Sequence, residues 1–375
     1  MVVLWAALAA VGAPASPQPE GPFLPVWPVE LQKDVMKAAR RYTGEFALYV
    51  KDLESGVQYT FNAATPMYLA SGIKVLVMAA LLQKVEKNEI KLSDELTYGA
   101  EDVRDGSPML SYLREGTTVS IEILLRAMIQ QSDNAATDML LGKIGVDSVA
   151  RLLKDEGLEG FGPITSLLDV RRLVLRGLDP RTEALTPRQI FELRTTQPLE
   201  ARVIKLTEML DEPLGTYSLL DYYRAYDDYY ALGYNSASME RMGHVLERIV
   251  TEKLVSPTVS RKMLQIMRGT QTGVNRIRAG LPAYIELAHK TGTQFRRTCD
   301  FGVFFMPGHR PIVLTIAVKG GRMRTSREAL MARLVERAYW HLSSSVERRR
   351  IRSSRRQPVR STEAGLLMAK PREKK

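Results

Sequence analysis

Residues 67–78, Met67-Tyr68-Leu69-Ala70-Ser71-Gly72-Ile73-Lys74-Val75-Leu76-Val77-Met78, mark where strand patterning ends and helical patterning begins. Upstream, residues 46–52 and 58–62 alternate with period two around a turn at Glu54-Ser55-Gly56, which reads as a hairpin. Residues 30–42 before it carry apolar and basic side chains at helical spacing. From Tyr68 the pattern is helical: 67–87 with Ser71 at its N-terminus, 121–131, 134–144 and 146–156. Strand patterning returns only at 285–290, 299–306 and 312–318, followed by a last helix at 326–342. The two ends of the chain therefore supply the strands and the middle supplies a helical block. That order predicts an α+β fold, with a helical subdomain at about 66–275 inside a domain at 30–345.

Three short words stand in one order along this frame. Ser71-Gly72-Ile73-Lys74 puts a hydroxyl and an amine one helical turn apart, so the amine can take the proton of the nucleophile. Ser132-Asp133-Asn134 follows about sixty residues later, and Lys290-Thr291-Gly292-Thr293 comes near the end. Ser132 and Lys290 can relay a proton to a leaving nitrogen, and the Thr291 and Thr293 hydroxyls can hold a carboxylate. An S-x-x-K match alone arises roughly twice by chance in a chain this long, the other two words in roughly one chain in ten. Together and in order, they make a serine acyl-transfer site. The set resembles the class A serine β-lactamases and the penicillin-binding proteins related to them.

The resemblance implies a five-stranded antiparallel sheet with flanking helices and an all-helical subdomain, the site lying in the cleft between. It implies an acyl-enzyme on Ser71, with Lys74, Ser132 and Lys290 as catalytic partners. The oxyanion would rest on the N–H groups of Ser71 and Thr293. Asn134, Thr291, Gly292 and Thr293 would bind substrate, Asp133 would brace its turn and His289 would pack. Arg276, fourteen residues before Lys290, is the candidate for a carboxylate-holding cation, in competition with Arg278, Arg296 and Arg297. Class A enzymes also keep a glutamate within E-x-x-L-N to activate the deacylating water. This chain has Thr165-Ser166-Leu167-Leu168-Asp169-Val170-Arg171-Arg172 there, and counts from either side leave Asp169 as the carboxylate at that place. Asp169 would either serve as the base or pair with Arg171 or Arg172 and hold the loop. The implied activity is hydrolysis of β-lactam amides, as in antibiotic resistance. A D-alanyl-D-alanine-type peptidase, another amide or ester hydrolase, and a slowly deacylating penicillin-binding sensor stay open beside it. The expected partner is a small β-lactam or peptidoglycan-derived molecule, and the chain is expected as a monomer.

Composition sets bounds on these readings. The net charge of +11 is concentrated at the C-terminus, where residues 347–375 hold eleven Lys/Arg against three Glu. The body is near neutral and shows no basic face with interleaved aromatics, which argues against nucleic acid. Residues 346–375 read as a basic disordered tail, able at most to touch an anionic surface weakly. Cys299 is the only cysteine, and the four histidines show no ligand spacing, so neither a disulfide, a metal nor a cofactor is expected. Residues 1–15 resemble a signal peptide whose basic n-region is missing, ending at Ala13-Pro14-Ala15, and predict export to the periplasm or beyond. Residues 16–29 read as a linker. Residues 198–237 exceed the usual length of the family and include the tyrosine-dense stretch 219–230. They read either as a helical hairpin covering the helical subdomain or as an element at the edge of the cleft.

Overall fold

In the computed structural model, which describes residues 26–321, 323–344 and 348, five strands form one antiparallel sheet. They are β1 (Glu45–Asp52), β2 (Gln58–Phe61), β3 (Glu286–Gln294), β4 (Arg297–Phe305) and β5 (Ile312–Lys319), in the order β2-β1-β5-β4-β3. First and last strands of the chain meet at the centre, with Glu45 opposite Lys319 and Asp52 opposite Ile312. The helices used below are α1 (Trp27–Ala39), α2 (Lys74–Glu86), α3 (Asn134–Ile144), α4 (Leu167–Arg176), α5 (Pro187–Thr195) and α6 (Leu199–Met209). They continue with α7 (Leu219–Ala231), α8 (Met239–Val250), α9 (Pro257–Arg268) and α10 (Arg324–Leu342). The signal and tail expectations lie outside the described residues, as does most of the linker. Its end is helical, because α1 starts at Trp27 with Pro28 in the first turn, where a missing N–H costs nothing.

Alternation along the strands divides the interior into two cores. Phe46, Leu48 and Val50 face α1 and α10, together with Leu314 and Ile316. Ala47 and Tyr49 face the other way, where Phe301 and Val313 meet α2, α3, α8 and α9. Both faces are covered, so β5 reads as a nearly continuous apolar run, and β4 is buried along almost its whole length although it carries Arg297, Thr298 and Asp300. Each Leu or Phe fully buried in these layers contributes about 1.5–3 kcal/mol. Helix α2 is enclosed on every side: Lys74 to Leu82 are all buried, the one charged group among them being Lys74. Among the described residues no helix is long and apolar enough to cross a membrane.

Two local departures from the helical expectation shape the site. Met67–Tyr68 pairs with Ser236–Ala237 as a short ladder, so the helix does not begin at 67. Ala70 then takes φ 47°, a left-handed turn that costs an alanine about 1 kcal/mol, and a single 3₁₀ turn, Ala70–Ile73, carries Ser71 into α2. The second departure follows Ile121–Arg126, where a π turn at Ala127–Gln131 ends on Ser132 with φ 62°. A wider turn and a left-handed residue swing Ser132 out of the helical path toward the sheet edge. Strand β3 also runs four residues past its patterned end, since Thr291 to Gln294 keep pairing with Asp300 to Arg297.

Residues 198–237 are largely helical: α6 and α7 form a hairpin that packs on α4 and α5. A Ser218–Asp221 capping box starts α7, and Tyr222, Tyr226 and Tyr229 recur at helical spacing along its buried face.

Candidate active site

Two glycines let the site close up. A Cβ on Gly72 would collide with the Phe301 ring, and one on Gly292 with Leu69 O and Cys299 Sγ. With glycine at both places, the Ser71 turn lies flat against β4 and the edge strand β3 comes alongside it. Ser71 is partly exposed at this junction.

Lys74 is fully buried beneath it and spends its donors on the Ser132–Asn134 turn rather than on Ser71. Its Nζ lies 2.6 Å from Ser132 O, 2.8 Å from Asn134 Oδ1, and 3.3 Å from both Ser132 Oγ and Asp133 O. All four acceptors are neutral oxygens. Burial first and the Lys290 charge second push the Lys74 amine well below its ordinary value. Lys290, also fully buried, donates to Ser132 Oγ at 2.9 Å and to Thr291 O at 3.0 Å. Burial is the main force lowering it, to about 7. Ser132 Oγ therefore accepts from two amines, which leaves its own O–H proton free to point elsewhere.

Asp133 is the brace the sequence suggested. Its carboxylate caps α3 at Ala136 N (2.9 Å) and accepts from Met109 N and Leu110 N at 3.1 and 3.0 Å. Asn134 is engaged on both ends of its amide, with Oδ1 on Lys74 and Nδ2 donating to Asp105 O at 2.6 Å. Thr291 is buried and shares a 2.6 Å hydrogen bond with the hydroxyl of Thr272, a residue that sequence reading passed over. Thr293 is exposed on the edge strand.

Arg276 sits behind that edge, 1% exposed. It donates to Gly292 O (3.0 Å), Cys299 O (2.9 Å) and Thr293 Oγ1 (2.6 Å), and pairs with Glu328 at 3.0 Å. A guanidinium so enclosed does not face solvent. It donates to the Thr293 hydroxyl, which leaves that hydroxyl its own proton to donate outward. Arg278 spends its guanidinium on Ile285 O and Pro282 O, and Arg297 stacks over Tyr230 at 4.2 Å. His289 is a packing residue on Asp300, 2.9 Å away.

Asp169 lies apart from this group. It occupies the first turn of α4, accepting from the Ser166 hydroxyl at 2.6 Å while its own N–H donates back to Ser166 Oγ at 3.0 Å. Its neighbours line an outer recess with Arg172, Arg176 and Glu183. Neither Arg171 nor Arg172 pairs with it. Arg171 instead turns inward and binds Asp105 through two 2.9 Å hydrogen bonds. Arg194 of α5 approaches the same carboxylate at 3.5 Å and donates to Tyr222 OH and Tyr226 OH of α7 at 2.5 and 2.8 Å. Burial would raise the Asp105 carboxyl, but the two guanidinium groups hold it well below the usual range. A continuous chain thus runs from Lys74 through Asn134, Asp105 and Arg194 to α7. Among the described residues no cluster of His, Cys, Asp and Glu could hold a metal ion.

Comparison with known proteins agrees with this arrangement. The model of the β-lactamase enzyme family matches residues 30–196 and 202–342. The chain is 24% identical over 283 residues to the carbapenem-hydrolyzing beta-lactamase KPC of Klebsiella oxytoca, covering 75% of this chain and 78% of that one. It is also 24% identical over 299 residues to a beta-lactamase of Mycobacterium tuberculosis, covering 78% and 80%. Among solved structures, an ancestral class A beta-lactamase superposes with TM-score 0.61 at 22% identity, covering 82% of this chain and 98% of that one. The structure titled PBP-A superposes with TM-score 0.62 at 20% identity, covering 82% and 94%. With the three motifs gathered at one sheet edge and most of its length matched, the chain belongs to the β-lactamase enzyme family.

Proposed function

We propose that this chain is a serine hydrolase that opens β-lactam amides through an acyl-enzyme on Ser71, with release of the acyl group as its slow step. The observation that carries the first half is the position of Ser132 Oγ between two amines. A neutral Lys74 needs two N–H donors for Ser132 O and Asn134 Oδ1, its nearest acceptors, and keeps a lone pair for the Ser71 proton. Ser71 Oγ then bonds the carbonyl carbon. The C–N bond breaks as the Ser132 proton passes to the nitrogen. The protonated Lys74, 3.3 Å from Ser132 Oγ, returns the Ser71 proton to Ser132, and Lys290 stabilises Ser132 while the protons move. Thr291 and Thr293 hold the carboxylate beyond that nitrogen.

The second half rests on what surrounds the three polar catalytic groups. The hydrogen-bond partners of Lys74, Ser132 and Lys290 include no carboxylate among the described residues. The loop that would carry a base instead locks Arg171 onto Asp105. Intact-protein mass spectrometry with the bare penicillin nucleus, its amine unsubstituted, tests both halves. Wild type should gain one adduct and Ser71→Ala none, and after excess compound is removed the adduct should decay far below the ~10 s⁻¹ of a median enzyme. An adduct on Ser71→Ala would place the nucleophile elsewhere. Turnover with no adduct accumulating would mean that release is fast.

A further inference from the structure

The surplus helix α7 does not merely cover the helical subdomain. Tyr68 and Ala70, which lead directly into Ser71, belong to the same apolar cluster as Tyr222, Tyr226 and Tyr229 of α7 and Val170 and Val174 of α4. Phe295, just past the end of β3, joins them from the sheet side. It stacks on Tyr223 with ring centroids 5.1 Å apart and lies 4.9 Å from Tyr226. Tyr230 closes the seam, with its ring 4.9 Å from Tyr68 and its hydroxyl donating to Phe295 O at 2.8 Å. Aromatic side chains thus bridge α4 to the β3–β4 turn right beside the nucleophile.

The bridge is fixed at both ends. Arg194 ties Tyr222 and Tyr226 to the Asp105 loop, and Arg202 of α6 donates to Tyr222 OH at 3.1 Å. Buried charged anchors of this kind hold a rigid wall rather than a lid.

The acyl-transfer reading above, on which this inference rests, says which end of a substrate meets the wall. Ser71 Oγ bonds the carbonyl carbon, the C–N bond breaks, and the proton ends on the departing nitrogen. That nitrogen and the carboxylate beyond it lie toward Ser132, Lys290 and Thr291. The acyl group lies on the opposite side of the carbonyl, where β3 continues past Thr293 to Gln294 and Phe295. We infer that α7 and Phe295 wall off the acyl side of the cleft and restrict this site to donors carrying small groups next to the reacting carbonyl. A hydrophobic wall discriminates by steric exclusion, and one blocked group changes a rate by about 10–200-fold.

The test compares acylation of wild type by the bare penicillin nucleus and by a penicillin carrying an ortho-disubstituted benzoyl group, followed by intact mass. The nucleus should react at least ~10-fold faster, and Phe295→Ala should accelerate the bulky donor by ~10-fold or more while changing the nucleus by less than about 2-fold. Tyr223→Leu, which removes the ring stacked on Phe295, should move the ratio in the same direction and serves if Phe295→Ala does not fold. Equal wild-type rates for the two donors, or equal acceleration of both by these variants, would overturn the wall. Failure of both donors to acylate wild type would instead sink the acyl-transfer reading.

Discussion

On the sheet side of the cleft, Lys74, Ser132 and Lys290 are held only by neutral oxygens and by one another, and both amines sit below their ordinary values. On the loop side, Asp105, Arg171 and Arg194 are paired charges locked to tyrosine hydroxyls, and the carboxylate there is driven firmly to its ionised form. Both regions are largely buried and polar, yet only the first keeps amines pushed toward the neutral form, Lys290 to about 7. Unpaired burial disfavours charge and makes an amine a usable base, whereas paired burial fixes charge and makes a scaffold. Chemistry and support are thus divided between the two walls, and Asn134 touches both, through Lys74 on one end and Asp105 on the other.

The division is broken most severely at Asp105. Asp105→Ala would leave Arg171 and Arg194 buried without their shared partner, and removing one side of a buried pair costs about 3–5 kcal/mol. Urea unfolding should show that loss, and acylation should slow as well, because the loop carbonyl that positions Asn134 loses its anchor. A loss below about 1 kcal/mol would show that the arginines are supported by the tyrosines alone.

A titration sharpens the other side. If Lys74 works neutral and Lys290 works charged, acylation should fall by up to ~10-fold per pH unit above about 7, as Lys290 releases its proton. It should fall again toward acid as Lys74 takes one up. Stability should move oppositely on the alkaline side. The folded state binds fewer protons than the unfolded chain between about 7 and the ordinary lysine value of 10.5, so the fold gains stability as pH rises through that window. Burst-phase acylation rates from about pH 6 to about pH 9 check the first statement. A flat profile above neutrality would remove Lys290 from the proton relay.

How much of this was legible in the sequence follows from how far apart the partners lie. Strand alternation in residues 46–52 and 312–318 announced a sheet built from both ends, and the three short motifs announced residues that the fold brings together at Lys74, Ser132 and Lys290. Each of those signals is local or a compact word. The 3₁₀ turn at Ser71 and the π turn before Ser132 were hidden, because both depend on backbone paths set by packing against β4 and β3. The Asp105–Arg171–Arg194 set joins residues 66 and 89 positions apart, and no spacing rule marks such a pairing. The tyrosines at 222, 226 and 229 did carry helical periodicity, but periodicity says which face is buried and not what it is buried against. Arg276 stood out only by its distance of fourteen residues from Lys290, and its burial behind Thr293 could be seen only once β4 and α10 closed around it.

Asp169 gives the smallest and most discriminating change. Sequence counting made it the stand-in for the missing deacylation base, and a base removed from its water costs about 10²–10⁴-fold in the step it serves. In the fold its carboxylate is bound to the Ser166 hydroxyl at the start of α4 and borders an outer recess with Arg172 and Glu183. An asparagine can still accept that hydroxyl and stay in place. Asp169→Asn should therefore leave decay of the acyl-enzyme within about twofold of wild type and cost at most about 1 kcal/mol of stability, the scale of a weakened helix cap. Asp169→Glu should gain nothing, since one more methylene extends the carboxylate outward from Ser166 rather than toward Lys74. Both are read from the same adduct-decay experiment. Accumulation of adduct in Asp169→Asn by 10²-fold or more would show that α4 rearranges on acylation to bring this carboxylate to Ser71. The loop side would then belong to the chemistry after all.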